Sequence, residues 1–579
     1  FHEECAETLS RDSSLMAWWP VAFLRALAQV ERPVELDRVP RILRERFPYL
    51  SELVERSRSH HTTTLGPTCP YYKQCHFFDS ARRAHNADVI IANHALVFQW
   101  PQGLPKIRNL VLDEAHHLEE RITEAFTVSV SGEDISERAR RLGRKKAARS
   151  ATSSAGDAET IAARVETVFK GDAAALLRED AESVRAKVVQ VETVLGVAFG
   201  AGGGRGGGFY RADTLSLDPP GAAIAEGVRD RVIDSLRELR AAVDGVATRM
   251  EGWLKDMGQS GDGGEDDRAV DILKGYADAF GASRGALDLF LDRGGPDYVR
   301  LLHRNARDGA WRLEVTPVDV SGLAAPLFEG KRALVLTSAT MTPGQSNPFV
   351  LERVGLKDST KMVQLPSPYQ VEKQAQAYIT PDAPEPGTPQ HLDALVELTA
   401  RVARALGGRT LLLMTSNVRL REASSRLHAM LKDDGIQVFD SATEQRAAEA
   451  FVASDRAVLL GGERYGEGLD IPGPKLTCVI LEKIHEGMTR GHLAEARKAR
   501  ARSPIFEYDF PLRMIWLKQR VGRLIRSPSD KGAVIIFDPR VARWSHTSRK
   551  VVLNALAPMP VSLVTSGDAV AQVASRYGH

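Results

Sequence analysis

Two short stretches, far apart in the chain, carry residues whose types suit nucleotide chemistry. Asp113 and Glu114 end a run of apolar residues. Gln519, Arg523 and Arg526 follow one another at spacings of four and three residues, which predicts that they share one face of a helix. Carboxylates opposite paired guanidiniums are an arrangement that stabilises charge developing on a γ-phosphoryl group. The two stretches together predict a two-sided clamp on a nucleoside triphosphate.

The acidic pair suits hydrolysis of a nucleotide bound to Mg²⁺. Asp113 is predicted to hold the metal, directly or through water, and Glu114 to orient or deprotonate the attacking water. The four letters Asp-Glu-Ala-His occur often by chance, but here they follow a predicted buried strand over residues 108–114. For the arginine-bearing stretch, the alternative interpretation is a row of surface ion pairs.

Two further stretches also come after predicted strands. Ser338 and Thr340 follow the apolar run 333–337, where their hydroxyls would couple a nucleotide site to a nucleic-acid groove. The glycine-rich turn over 462–473 contains Gly468 and an acid, Asp470. Glycines let a backbone approach phosphate or ribose closely, and the acid would contact a hydroxyl. The alternative for this turn is a plain loop between two strands.

The surrounding pattern predicts an α/β protein with parallel sheets. Apolar runs at 87–95 and 108–114 are typical of buried strands, and from about residue 371 short apolar runs alternate with helices. Residues 121–295 differ, because apolar residues repeat there at helical spacing and predict an all-helical insertion. Residues 298–303 and 311–315, joined through Asp308-Gly309, predict a β-hairpin.

Length, charge and hydropathy limit the class of protein. A chain of 579 residues predicts three or four domains of about 150 residues each. With 77 basic and 75 acidic residues, affinity for nucleic acid would come from local basic grooves. The basic run 138–149 is either a solvated helix face or such a contact. No run approaches the ~20 apolar residues of a membrane span, and the first ten residues have no apolar signal core.

The four cysteines are too few for a disulfide framework in a chain of this length. We therefore expect a cytoplasmic protein whose cysteines are either buried or bound to a metal. Cys478 lies within a predicted strand and is expected in the core. Cys5, Cys69 and Cys75 all precede the acidic pair.

In their order and spacing, the motifs resemble those of superfamily-2 helicases, in particular the DinG branch of the XPD-like iron–sulfur helicases. The resemblance covers most of the chain. It includes a large insertion, similar to that family's arch domain, between the acidic box and the Ser338 motif. The matching stretches are Asp113-Glu114-Ala115-His116, Thr337 to Thr340, Ser367-Pro-Tyr369, Gly466 to Asp470, Gln519 to Arg526 and Ile536 to Arg540.

The resemblance implies a fold, an activity and a set of ligands. It implies two RecA-like lobes and ATP-driven, 5′ to 3′ translocation on single-stranded DNA, with unwinding at duplex junctions during repair or replication. We expect a monomer without membrane contact. ATP with Mg²⁺ would contact Asp113, His116, Gly468, Asp470, Arg523 and Arg526. The implied domains are an iron–sulfur-type segment at 1–80, lobe 1 at 81–120 and 296–370, the arch-like insertion at 121–295, and lobe 2 at 371–579.

The cysteine segment resembles the end of that family's [4Fe–4S] segment, which takes four thiolates. Cys5, Cys69 and Cys75 would supply three of them. A fourth ligand would be His60 or His61, or a cysteine upstream of this chain. Zinc held with help from histidine, and inert buried thiols, are the two alternatives to a cluster.

The chain departs from the family pattern at two places. It contains no Gly-x-x-x-x-Gly-Lys-Ser/Thr loop, which would supply the amide cradle and the lysine for the β- and γ-phosphates. Since the family places this loop before the cysteine segment, we expect a truncated chain that cannot hydrolyse ATP although its parent can. Residues 481–486 also replace an apolar segment of the family. Two other functions remain open: a catalytically silent nucleic-acid-binding scaffold and an RNA helicase.

Overall fold

The computed structural model describes most of the chain, and all statements below concern that part. It divides into two units, one formed by residues 1–107 and 123–318 and the other by residues 108–122 and 319–579. The described residues are 15–30, 39, 43, 47, 50, 53–54, 73, 75–101, 103–143, 173–201, 214–218, 225–259, 268–305, 309–342, 349–356, 360–444, 446–462, 465, 471, 473–485 and 491–578.

Helices and strands are numbered here in chain order. The helices are α1 (Leu15–Val30), α2 (His76–His85), α3 (His94–Phe98), α4 (Leu118–Phe126), α5 (Gly132–Leu142), α6 (Ala173–Ala201), α7 (Glu226–Gln259), α8 (Arg268–Asp292), α9 (Ser321–Phe328), α10 (Phe349–Arg353), α11 (Val371–Gln374), α12 (Pro389–Leu406), α13 (Asn417–Leu431), α14 (Ala447–Ala453), α15 (His492–Ala499), α16 (Phe510–Val521), α17 (Arg540–Arg543), α18 (His546–Leu556) and α19 (Ser566–Tyr577). The strands are β1 (Asn109–Leu112), β2 (Val128–Ser131), β3 (Thr214–Ser216), β4 (Tyr298–Arg304), β5 (Trp311–Pro317), β6 (Ala333–Leu336), β7 (Ala375–Ile379), β8 (Thr410–Leu413), β9 (Gln437–Asp440), β10 (Ala457–Gly461), β11 (Cys478–Leu481), β12 (Gly532–Ile536) and β13 (Val561–Leu563).

The larger sheet of the second unit is parallel throughout, in the order β13-β7-β12-β11-β8-β10-β9. Successive side chains of a strand point to opposite faces of the sheet. Leu411 and Leu413 accordingly join one apolar core, and Leu412 joins the core on the other face. Parallel sheets are normally covered by helices on both faces, as here. The α/β class predicted for residues 371–579 is confirmed.

Cys478 lies in β11 and is fully buried. Burial raises the pKa of its thiol, so the sulfur stays protonated and behaves as a small apolar side chain. The prediction that Cys478 belongs to the core is confirmed.

The acid-bearing strand and the strand before Ser338 lie side by side. β1 and β6 are parallel neighbours, with Leu112 opposite Leu336. Leu110 and Leu112 are buried as predicted, but Val111 is 65% exposed and Val335 is 49% exposed. The expectation of a wholly buried strand is therefore wrong, because only one face of this two-stranded sheet is covered by described residues.

The predicted strand over 87–95 is absent. Residues 87–93 pair with no described strand, and α3 begins at His94. Val89 is 78% exposed and Ile91 is 95% exposed. The Asn93 side chain accepts a hydrogen bond from the backbone N–H of Leu96 at 2.9 Å, which favours the start of a helix. An apolar run forms a strand only where a neighbouring strand satisfies its backbone, and none of the described strands does so here.

The first unit contains the predicted long helices and a sheet. α6, α7 and α8 confirm the helical periodicity, but β2, β5, β4 and β3 form a four-stranded antiparallel sheet with the same core. Two of these strands lie within 121–295, so the prediction of an all-helical insertion is wrong. The predicted hairpin is confirmed as β4 and β5, and it belongs to this unit because Leu302 and Leu313 pack into the helical core.

The described part of the basic run is internally paired. Arg140 and Arg141 both bind Glu137, at 2.6 Å and 2.8 Å, and Arg138 donates to Ser283 Oγ at 3.1 Å. Burial opposes ionisation of Glu137, but the two arginine hydrogen bonds lower its pKa to about 2. Arg138, Arg140 and Arg141 thus each have a partner within the chain. Residues 144–149 lie outside the described part.

Among the helices that the structure describes, none has the length and apolar character to cross a membrane.

Candidate nucleotide-binding site

The acidic pair lies in a sharp turn at the carboxyl end of β1. Glu114 adopts the left-handed conformation (φ 48°, ψ 46°), which is uncommon for a residue with a side chain and often marks a functional site. Backbone hydrogen bonds hold the turn, from Ala115 N–H to the Thr337 carbonyl and from Thr337 N–H to the Leu112 carbonyl, both at 2.9 Å. The Asp113 and Glu114 side chains are exposed, which leaves their carboxylates accessible to a metal ion and to water.

His116 connects three of the predicted motifs. Its side chain is 5% exposed, and Nδ1 lies 2.7 Å from Ser338 Oγ and 3.4 Å from Glu114 Oε2. On the other side of the ring, Nε2 contacts the amide nitrogen of Gln519. The His116 ring thus contacts the acidic box, the Ser338 motif and the arginine-bearing segment.

Ser338 and Thr340 form a short turn after β6. Ser338 Oγ also accepts the backbone N–H of Thr340 at 3.1 Å, so this hydroxyl is shared between His116 and the turn. Thr340 is 8% exposed. Ser338 therefore contacts His116 of the acidic box directly, whereas Thr340 contacts Ser338.

The arginine-bearing segment departs from the predicted helix. α16 ends at Val521, where Gly522 N–H donates to the Lys518 carbonyl at 2.9 Å. Gln519 therefore lies on the helix, whereas Arg523 and Arg526 follow it, and the prediction of one shared helical face is wrong.

The sequence after Val521 explains why the helix ends there. Gly522 follows Val521, and glycine is unfavourable inside a helix. After it, the consecutive residues Leu524 and Ile525 are both buried. The Asp530 carboxylate accepts the backbone N–H groups of Arg526 and Ser527 at 2.7 Å and 2.8 Å, which gives these donors partners outside a helix.

Lys518 is a neighbour of this site that the sequence analysis did not identify. Its ammonium group donates to the Thr342 carbonyl at 3.0 Å, and burial lowers its pKa. On the same helix, Ile515 packs against Phe349 and Val350 of α10. The helix carrying Gln519 is therefore attached to the segment that follows the Ser338 motif, and the only signal in the sequence was the position of Lys518 beside Gln519.

Of the remaining predicted site residues, only Cys75 is among those that the structure describes. Gly468, Asp470, Cys5 and Cys69 lie outside the described residues. Cys75 is described: it is a half-buried free thiol immediately before α2. Within the described part of the chain, no three His, Cys, Asp or Glu side chains are grouped as metal ligands.

Comparisons with known proteins show what the chain is similar to. Residues 399–558 match the helicase C-terminal domain family. The chain is 23% identical to the 3′-5′ exonuclease DinG of Bacillus subtilis (strain 168), over 92% of this chain and 57% of that protein. It is 24% identical to the ATP-dependent DNA helicase YoaA of Escherichia coli (strain K12), over 86% of this chain and 71% of that protein.

A shorter but closer match is the ATP-dependent helicase DinG of Mycobacterium tuberculosis (strain H37Rv), which is 31% identical over 42% of this chain and 38% of that protein. The chain thus spans little more than half of the Bacillus relative and about seven tenths of the Escherichia one. Residues 399–558 therefore form a helicase C-terminal domain, and the chain is similar to DinG and YoaA proteins along most of its length.

Proposed function

We propose that this chain provides most of the motor of an ATP-dependent DNA helicase, which moves 5′ to 3′ along single-stranded DNA and acts in DNA repair or replication. The observation that carries the proposal is the contact of His116 with both Ser338 and Gln519. A helicase must link the site of hydrolysis to the element that moves on the nucleic acid. A buried imidazole shared by the acidic box, the coupling motif and the arginine segment is such a link. The relatives named as DNA helicases support the choice of DNA.

The exposed carboxylates suit the hydrolytic step. Asp113 would hold Mg²⁺, which would supply positive charge to neutralise the phosphates. Glu114 would take a proton from water as the water oxygen bonds to the γ-phosphorus and the bond from that phosphorus to the β–γ bridging oxygen breaks. Arg523 and Arg526 would balance the charge that develops on the γ-phosphoryl group.

His116 would transmit the outcome of hydrolysis. Any displacement of α16 moves Gln519 relative to the imidazole, and the imidazole is in turn the partner of Ser338. Loss of the Gln519 contact would free Nε2 and weaken the fixed ring orientation on which the bond to Ser338 depends. The contacts between DNA and the Ser338 motif would thereby change with the state of the nucleotide. We propose a monomer acting at junctions of single-stranded and duplex DNA.

We expect no ATP turnover from the 579-residue chain by itself, because its sequence contains no phosphate-binding Gly-Lys-Ser/Thr loop. Steady-state phosphate release with and without single-stranded DNA is the measurement. Turnover stimulated by DNA in a polypeptide that joins this chain to such a loop supports the proposal, whereas robust turnover by the chain alone contradicts the expectation.

We propose further that Cys69, Cys75 and Cys5 bind an iron–sulfur cluster of the [4Fe–4S] type. Cys75, a half-buried thiol without a disulfide partner, suits a thiolate ligand. Cys69→Ser should remove most of the visible absorbance and iron of the purified protein. Cys478→Ala, which removes a thiol from the core of the larger sheet, is the matched control and should leave iron content unchanged. Unchanged absorbance and iron in Cys69→Ser would exclude Cys69 as a ligand.

A further inference from the structure

One buried carboxylate outside the helicase motifs holds two guanidiniums. Glu119 lies in α4, three residues after His116, and is 13% exposed. Arg353, the last residue of α10, and Arg497 of α15 both bind it. The two arginines are separated from Glu119 by more than two hundred residues along the chain, and all three lie in the second unit.

The two arms of this cluster differ in geometry. Arg353 binds Glu119 with two parallel hydrogen bonds, of which Nε to Oε2 measures 2.6 Å. Arg497 approaches the same carboxylate from Nε to Oε1 at 3.1 Å, and its side chain is more deeply buried, at 9% exposure. Bidentate arginine–carboxylate pairs are the stronger kind, and Arg353 forms such a pair with Glu119.

Tyr508 connects the second arm to the arginine-bearing segment. Its ring lies under the Arg353 guanidinium, 5.0 Å from Cζ, and its side chain hydrogen-bonds Arg497. Tyr508 belongs to the π-helical turn Ile505–Asp509, which continues directly into α16. Two sets of contacts thus join the same two elements. Arg497 links Glu119 of α4 to Tyr508 of the turn before α16, and Gln519 of α16 contacts His116 of the acidic-box turn.

Contacts at two points along a helix fix the direction of its axis, whereas a contact at one point leaves that direction free to change. Along α16 and its leading turn, Tyr508 and Gln519 lie roughly 15 Å apart at helical rise. We propose that Glu119 is a positioning residue, which acts through Arg497 and Tyr508 to orient α16 so that Gln519 meets His116. The proposal deepens the function proposed above and rests on it for its catalytic consequence. The orienting contact itself can be tested without ATP hydrolysis, because all of its residues lie in this chain.

Arg497→Ala is the test, since it removes the arm that contacts Tyr508 and leaves Glu119 paired with Arg353. Hydrogen exchange of the 579-residue chain, followed by mass spectrometry, should accelerate both in 115–122 and in 505–521. Arg497→Lys keeps a cation in place and should restore slow exchange in part. In a polypeptide that hydrolyses ATP, Arg497→Ala should lower kcat about 10- to 100-fold, as small misplacements of catalytic groups do, with less than about twofold change in KM for ATP.

Arg500→Ala is the matched control. Arg500 follows α15, and its ion pair with Asp319 is longer, at 3.7 Å, and more exposed. Its loss should leave exchange in 115–122 unchanged, because exposed pairs of this kind contribute little. Faster exchange confined to 492–499 in Arg497→Ala would overturn the proposal by making the contact local. Because exchange requires no ATP turnover, coupled acceleration supports the orienting role even if the helicase proposal fails.

Discussion

Replacing Glu114 by glutamine should abolish ATP turnover while ATP binding stays intact. The change keeps the size and shape of the side chain but removes the carboxylate that would accept the proton of the attacking water. General bases typically contribute 10²- to 10⁴-fold, so we expect a loss on the order of 10³ in kcat. Asp113, the expected metal ligand, is untouched, and the affinity for the magnesium nucleotide should change little. Phosphate release and equilibrium binding of a fluorescent ATP analogue measure the two quantities, in a polypeptide that joins this chain to a phosphate-binding loop.

A nearby carboxylate provides the control for this variant. Glu120 is 60% exposed, on the helix that follows the acidic box, and contacts His117 at 3.4 Å. Glu120→Gln removes the same charge from the same neighbourhood and should leave kcat within about twofold, as surface substitutions usually do. If Glu114→Gln retained the turnover of the Glu120→Gln protein, Glu114 would have no role as the base.

Removing the Arg526 side chain should cost on the order of 10³ or more in the rate of hydrolysis, the effect typical of an arginine finger. The backbone of Arg526 is held by Asp530 at 2.7 Å, so truncating the side chain leaves the turn in place. Arg526→Lys should recover only a small part of the rate, because an ammonium cannot reproduce the planar, forked contact of a guanidinium with phosphate. Single-turnover hydrolysis at saturating ATP separates this loss from any change in binding.

Arg543 is the matched control for Arg526. It lies in the same unit, is 60% exposed and pairs with Glu385. Arg543→Ala removes an equal charge outside the candidate site and should leave the single-turnover rate unchanged within about twofold. An Arg526→Ala protein as fast as Arg543→Ala would place Arg526 outside the site and leave Arg523 as the remaining candidate.

Local patterns predicted the elements whose stability depends on neighbours in sequence. The apolar repeat of residues 268–292 corresponds to α8, and Asp308-Gly309 lies between the paired strands β4 and β5. Runs of aliphatic residues located β8, β10, β11 and β12 to within a residue or two. Two strands of the larger sheet were not predicted: β9 (Gln437–Asp440), in which polar residues interrupt the apolar pattern, and the three-residue β13 (Val561–Leu563) at the sheet edge. β2 and β3 of the antiparallel sheet were not predicted either, since they lie in the stretch expected to be all-helical. Residues 87–93 show the opposite error, since an apolar run had no partner strand.

By itself, the sequence determined the resemblance to helicases, the parallel α/β class and the chemical types of the candidate catalytic residues, because these depend on residue identity, order and local periodicity. Only the tertiary structure decided which side chains meet. His116 is 222 residues from Ser338 and 403 from Gln519, and Glu119 is 234 from Arg353. The end of α16 at Val521 was decided in the same way, by the burial of Leu524 and Ile525 and by the Asp530 carboxylate. Such contacts depend on the lateral order of strands and on the packing of helices across a sheet, which chain order and spacing do not specify.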